Sequence, residues 1–187
     1  MSTTADQTDL DTLTRRLDRE HVFHSWSAQA HLAPFPIAGG SGTRVWDHSG
    51  RTWLDFSSQL VNVNIGHQHP AVVEAITEQA RLLTTIAPST ANLARGRAAE
   101  AIAGLAPAGF EKVFFTNGGA DANENAVRMA RLVTGKRKVL AMYRSYHGNT
   151  STAITLTGDP RRWANEPADA SVCLLYTSDA ADEEDSV

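Results

Sequence analysis

The sequence predicts an α/β protein with a parallel-rich sheet and helices on both faces, from three consecutive features in its second half. Lys112 to Thr116 (KVFFT) is a continuous run of the kind found in a strand covered on both faces. Ala122, Ala126, Met129 and Val133 then recur at intervals of four, three and four, which makes an amphipathic helix that stops at Gly135. Val139 to Tyr143 is a second apolar run. Strand, helix and strand in this order form a βαβ unit, whose two strands lie parallel.

The remaining elements follow from local signals. Thr12 to Glu20 reads as a short helix, and His31 to Gly42, with Pro34, Pro36 and Gly39-Gly40, reads as a loop. Thr43 to Phe56 reads as a β-hairpin in which Val45, Trp46, Trp53, Leu54 and Phe56 flank the turn Asp47 to Gly50. Leu60 to Ile65 is an apolar stretch with interspersed Asn, closed by Gly66. Pro70 suits the first turn of a helix whose stripe is Val72, Val73, Ile76, Ala80 and Leu83. Pro88-Ser89 is expected to open another helix, with Ser89 as its cap and Ala94, Ala98, Ala101, Ile102 and Leu105 on its buried side. Glu124 and Arg128 are spaced for an exposed ion pair one turn apart.

Composition removes several classes. The chain has 187 residues, one cysteine and a formal net charge of −4. One cysteine excludes a disulfide scaffold and a multi-cysteine zinc module. No run approaches the ~20 apolar residues of a membrane span. The polar, acidic start is neither a secretory signal nor an Arg-rich transit peptide, so a cytoplasmic setting is expected. Mild acidity argues against a nucleic-acid partner, and His67-Gln68-His69 lacks the neighbouring Cys or carboxylates of a metal site. The last residues differ from the rest. Every Lys and Arg lies at or before Arg162, and Cys173 to Glu183 (CLLYTSDAADE) resembles the in-frame translation of a sequencing adaptor. The natural sequence is therefore expected to end near Val172, with 173–187 a non-native acidic tail and the chain a fragment.

Two loops carry the chemical signal. Thr116-Asn117-Gly118-Gly119-Ala120 joins the end of the first strand to the start of a helix, where open α/β sheets bind ligands. Unpartnered N–H groups and the helix dipole favour an anion there, and glycines allow close backbone approach. A plain tight turn remains the alternative. The pattern is neither a GxGxxG fingerprint nor a Walker loop. Arg144 to Gly148 follows the second strand at the same sheet edge, and Tyr146 offers an aromatic face there, or else covers the core.

At these residues the sequence resembles the class III aminotransferases. The ordered pieces are Trp46-Asp47 through Leu54-Asp55, Gly66-His67-Gln68-His69-Pro70, FFTNGGADANENAVRMAR from Phe114 to Arg131, and Tyr146-His147-Gly148. The resemblance spans Val22 to Pro167 and is nearest to members acting on ω-amino acids with pyruvate. It implies part of the large domain of a fold type I pyridoxal 5′-phosphate enzyme. Residues 1–42 would be an arm and loop, 43–66 the hairpin and approach to the active site, and 67–172 a partial cofactor-binding domain. Gly118, Gly119 and Ala120 would hold the phosphate through backbone N–H groups. Family members often carry Ser where Gly118 and Ala120 stand, so backbone must do more here, and Asp121, which replaces the family's usual Glu, is expected to point away from the phosphate. Tyr146 would stack on the pyridine ring, with His147 and Gly148 shaping the loop. Trp26, Leu60 and Val61 would line the substrate pocket, although Trp26 also reads as core or interface filler. The family's covalent lysine matches none of Lys112, Lys136 and Lys138, so no catalytic residue is assigned and the fragment alone is expected to be inactive. The implied partners are an amino donor, a 2-oxo acid and a second copy in a homodimer. An aminomutase or racemase on the same fold, and a non-enzymatic binding protein, stay open.

Overall fold

The structure, a computed structural model, describes residues 4–165 and 171–175, and the chain divides into two compact units, Met1–Thr90 and Ala91–Val187.

The first unit opens with helix α1 (Thr4–His21), longer than the sequence suggests, followed by a short 3-10 turn at Gln29–His31. An antiparallel three-stranded sheet comes next, β1 (Gly39–Ser41), β2 (Arg44–Trp46) and β3 (Thr52–Leu54), with Gly39 opposite Trp46 and Val45 opposite Trp53. The hairpin is as expected, but β1 falls in the stretch read as loop. Its glycines serve close approach rather than turning. A Cβ on Gly39 would sit 2.8 Å from the Trp46 indole nitrogen, and one on Gly40 would sit 2.9 Å from the His67 ring. The hairpin turn closes with Gly50 N–H donating to the Asp47 carbonyl at 3.1 Å. The Asp47 carboxylate, 1% exposed, accepts from the Ser49 hydroxyl, the Arg51 N–H and the Arg51 guanidinium. Burial opposes its ionisation, but these hydrogen bonds outweigh it and lower its pKa. A one-turn element, α2 (Ser58–Val61), and helix α3 (Pro70–Leu82) complete the unit, with Pro70 in the first turn of α3.

The second unit contains α4 (Leu93–Leu105), α5 (Gly119–Thr134), β4 (Val139–Met142), α6 (Ser151–Leu156), a 3-10 turn at Pro160–Asn165 and β5 (Val172–Leu175). Asn92, not Ser89, caps α4, its side chain accepting from Arg95 N–H at 3.0 Å. Ser89 instead lies in a turn closed by Thr90 N–H on the Ala87 carbonyl. Helix α5 ends as expected, with Gly135 left-handed at φ 69°. Strands β4 and β5 are parallel, with Val139 opposite Val172 and Met142 opposite Leu175. The βαβ unit is therefore formed by β4, α6 and β5. Lys112–Thr116 is not a strand among the described residues, because an apolar run signals burial but not the neighbour that supplies a ladder. Cys173 to Leu175, assigned from sequence to the tail, pair within the sheet; the tail from residue 176 lies outside the described residues.

The core of this unit is small and sits between β4 and α6: Ala141, Ala153, Ile154 and Leu156, with Thr155 and Thr157. The stripes expected to be buried are not. No residue of α3, α4 or α5 is buried, and Ile76 and Leu105 are 63% and 91% exposed. Half-buried positions lie elsewhere on these helices, at Asn123, Glu124, Val127 and Arg131 on α5 and at Arg95, Ala99 and Ala103 on α4, while the expected stripes stay exposed among the described residues.

Candidate functional site

In the second unit the two glycine-bearing loops meet. Gly118, fully extended at φ −176°, is the N-cap of α5, and no side chain hydrogen-bonds to cap that end. A Cβ on Gly118 or Gly119 would meet nothing within 4 Å, so the backbone is open on the side where a side chain would stand. This is the cradle an anionic group needs. The Asp121 carboxylate spans the helix start, one oxygen accepting from Asn125 Nδ2 at 3.2 Å and the other from Asn117 N–H, just before the N-cap, at 3.4 Å.

The Tyr146-His147-Gly148 loop is fixed beside that cradle. Gly148 has φ 132°, and a Cβ there would collide with Ala120, lying 2.8 Å from its Cα. Only glycine allows this approach. The His147 carbonyl accepts from Asn123 Nδ2 of α5 at 2.8 Å, and its N–H donates to the buried Thr157 hydroxyl at 3.0 Å. Glu124 reaches across from α5 to the start of α6. One of its oxygens accepts from the Thr150 hydroxyl at 2.7 Å and from the backbone N–H groups of Thr152 and Ala153 at 2.7 and 3.1 Å. Burial raises its pKa, but these donors outweigh burial and bring it below the ordinary value. The expected Glu124–Arg128 pair is accordingly not made: Arg128 donates to Asn125 Oδ1 at 2.7 Å. A carboxylate facing three donors at a helix start gains more than one in a solvated surface pair.

Tyr146 is 42% exposed, and the Arg161 guanidinium lies 4.0 Å from its ring centroid. Asp159 holds that guanidinium with two hydrogen bonds of 2.8 and 2.6 Å. Hydrogen bonding to Arg161 brings the Asp159 carboxyl down to about 2. Gly158 places the pair: its N–H donates to the Ser145 carbonyl at 3.0 Å, and a side chain there would strike the Tyr143 backbone. Sequence reasoning missed Asn123, Thr157 and Arg161. The Gly-Asp-Pro-Arg order at 158–161 was the available signal, a close approach followed by a proline-led turn.

The three residues implied as substrate-lining lie in the first unit, and they share an unusual backbone. Among the described residues seven non-glycine residues have φ between 47° and 66°: Trp26, Ser58, Gln59, Leu60, Val61, Gln68 and Arg144. Element α2 is thus a single left-handed turn. Such a conformation costs roughly 1–2 kcal/mol per residue, more where the side chain is β-branched like Val61. Leu60 and Val61 are nevertheless 86% and 74% exposed, so packing within the unit does not explain the strain. Local hydrogen bonds do. The Asp55 carboxylate accepts from the Ser57 hydroxyl at 3.1 Å, Gln59 Nε2 at 3.2 Å and Gln59 N–H at 3.5 Å. It also meets His67 Nε2 at 2.8 Å. The His67 hydrogen bond, helped by Gln59 and Ser57 against burial, brings Asp55 down to about 2. His67 is pinned in turn by two backbone hydrogen bonds with Gly42, of 2.7 and 2.9 Å. Strain held by a surrounding bracket is common at ligand sites.

Comparison with known proteins gives the family. The family described as aminotransferase class-III matches residues 26–186. An acetylornithine aminotransferase of Lactiplantibacillus plantarum is 39% identical over 142 residues, 75% of this chain and 34% of that protein. One from Caldanaerobacter subterraneus is 40% identical over 134 residues, 68% of this chain and 34% of that protein. Among solved structures, a taurine:2-oxoglutarate aminotransferase from Bifidobacterium kashiwanohense, in complex with PLP and glutamate, superposes with a TM-score of 0.85 at 38% identity, over 93% of this chain and 40% of that one. A transaminase from a marine Virgibacillus gives 0.79 at 32% identity, over 89% and 40%. The chain spans about a third of the length of the curated relatives it matches. The match over most of its residues shows that the chain belongs to the class-III aminotransferase family.

Proposed function

We propose that the protein containing this chain transfers an amino group from an ω-amino compound to a 2-oxo acid, pyruvate in particular, using pyridoxal 5′-phosphate. The observation that carries this reading is the uncapped, open start of α5 with the Tyr146 loop locked beside it. The group, when bound, supplies an electron-withdrawing ring that eases proton loss at the substrate carbon carrying nitrogen. Gly118, Gly119 and Ala120 donate backbone N–H groups to its phosphate, and the α5 dipole adds to the attraction. Tyr146, 42% exposed, would stack on the pyridine ring. His147 acts through its backbone, which holds the loop. Trp26, Leu60 and Val61 contact the amino donor. Lys136 and Lys138 precede β4 whereas Tyr146 follows it, so they belong to the other end of the strand.

The relatives' names support an amino-group transfer but name different substrates, acetylornithine in one set and taurine with 2-oxoglutarate in another. The test is to purify the full-length protein with pyridoxal phosphate and supply ω-amino donors with pyruvate or 2-oxoglutarate. Expected are a cofactor absorbance band that donor alone alters, and product that depends on the 2-oxo acid, with alanine formed from pyruvate faster than glutamate from 2-oxoglutarate. No cofactor spectrum overturns the reading. Product formed without any 2-oxo acid favours the aminomutase or racemase alternative.

A further inference from the structure

We propose that Asp55 is a positioning residue, which holds α2 left-handed so that Leu60 and Val61 are presented outward to the amino donor. The inference rests on the pocket role given to those two residues above.

Three observations meet at this carboxylate. The turn it faces has four successive residues at φ 47–66°, none of them glycine, so the chain needs an external restraint to stay there. Asp55 supplies that restraint from the position just before the turn. Its two oxygens take donors from Ser57 at the turn's N-cap and from both the backbone and side chain of Gln59 inside it. Its side chain is only 4% exposed although the turn beside it is open, so the anchor is fixed and the anchored residues are not. The fourth partner, His67, ties the carboxylate to a different part of the chain. His67 exchanges backbone hydrogen bonds with Gly42, and Gly66 approaches Gly42 so closely that a Cβ would lie 3.2 Å from its Cα. The bracket therefore runs from the β1–β2 turn through His67 and Asp55 into α2. Removing the carboxylate leaves the turn free to relax to a right-handed or extended course. In either one the outward side chains change direction while the hairpin keeps its own ladder.

The test uses the full-length enzyme loaded with cofactor. Asp55→Ala should raise KM for the amino donor at least fivefold, and the dissociation constant of a non-reacting donor analogue in parallel. The kcat should stay within twofold and the cofactor absorbance band should not change. Adding Ser58→Gly, which accepts the left-handed conformation at little cost, should return KM to within threefold of the parent. A general loss of folding would lower kcat and the cofactor band together with affinity, whereas a displaced turn changes KM alone, so the glycine rescue is read with those two quantities held constant. Gln59→Ala, at an exposed side chain, should raise KM about threefold and keeps the idea testable if Asp55→Ala does not fold. An unchanged KM in Asp55→Ala, or in Gln59→Ala where the former cannot be purified, overturns the proposal, as does failure of Ser58→Gly to lower KM. Leu60→Ala separates the two levels. If it too leaves KM unchanged, the pocket role itself is wrong; if it changes KM and Asp55→Ala does not, only the positioning role falls.

Discussion

At the scale of single residues, the site depends on what Gly148 lacks. It is left-handed and pressed against Ala120, so a methyl group there must either push the Tyr146 loop off α5 or open the first turn of the helix. Gly148→Ala in the full-length enzyme should weaken pyridoxal phosphate binding at least tenfold, read by cofactor fluorescence titration. Affinity within twofold of the parent would mean that the two loops do not form the cradle together. The glycines at 39 and 40 show why such residues are hard to read from sequence. Gly39-Gly40 looks like a turn, and it is a strand that makes room for Trp46 and His67. A glycine announces missing bulk, but not which neighbour uses the space.

At the scale of elements, Glu124 joins α5 to α6 by occupying the start of a helix that has no side-chain cap of its own. Such a cap is worth ~1 kcal/mol, within a range of roughly 0.5–2. Glu124→Ala should lower the stability of the folded protein by about that amount at pH 7 in denaturant melts, and Glu124→Gln, which keeps an acceptor, by less. Because its folded pKa lies below the ordinary glutamate value, the contribution is complete above that ordinary value and is lost as pH falls through the folded one. The gap between wild type and Glu124→Ala should therefore shrink in acid; a constant gap would assign the effect to packing. Sequence spacing placed Glu124 opposite Arg128 because i,i+4 partners are the only ones a helix shows in one dimension. Its actual partners are 26 to 29 residues away. The same limit applies to Ser89, a good cap by type that lost to Asn92 because Asn92 is the residue whose side chain reaches the free N–H of α4.

At the scale of the whole molecule, the loops that carry the family's sequence signature are in place while the buried core is small. The glycine turn, the Tyr146 loop, α3, α5 and β4 were legible because each rests on local spacing: a proline at a helix start, a 3.6-residue stripe, a glycine stop. The two loops do lie together, as the Gly148–Ala120 contact shows, but the shared sheet edge expected to bring them there is not formed among the described residues, because Lys112–Thr116 is not a strand. Lys112–Thr116 was misread because strandhood needs a second chain segment. The left-handed turn was not legible at all. Ser-Gln-Leu-Val contains no residue that favours positive φ, and its geometry comes from a carboxylate and an imidazole outside it.

The two-stranded sheet has a consequence of its own. Val139 and Tyr143 send their N–H groups to β5, on Ser171 and Leu175. Alternate residues of a strand face opposite ways, so the amides of Leu140 and Met142 point to the other side, where no strand is paired among the described residues. In this chain, deuterium should therefore replace the protons of Leu140 and Met142 well before those of Val139 and Tyr143, giving β4 a slow side and a fast side in an exchange spectrum. Equal protection on both sides would reveal a further strand lying along β4.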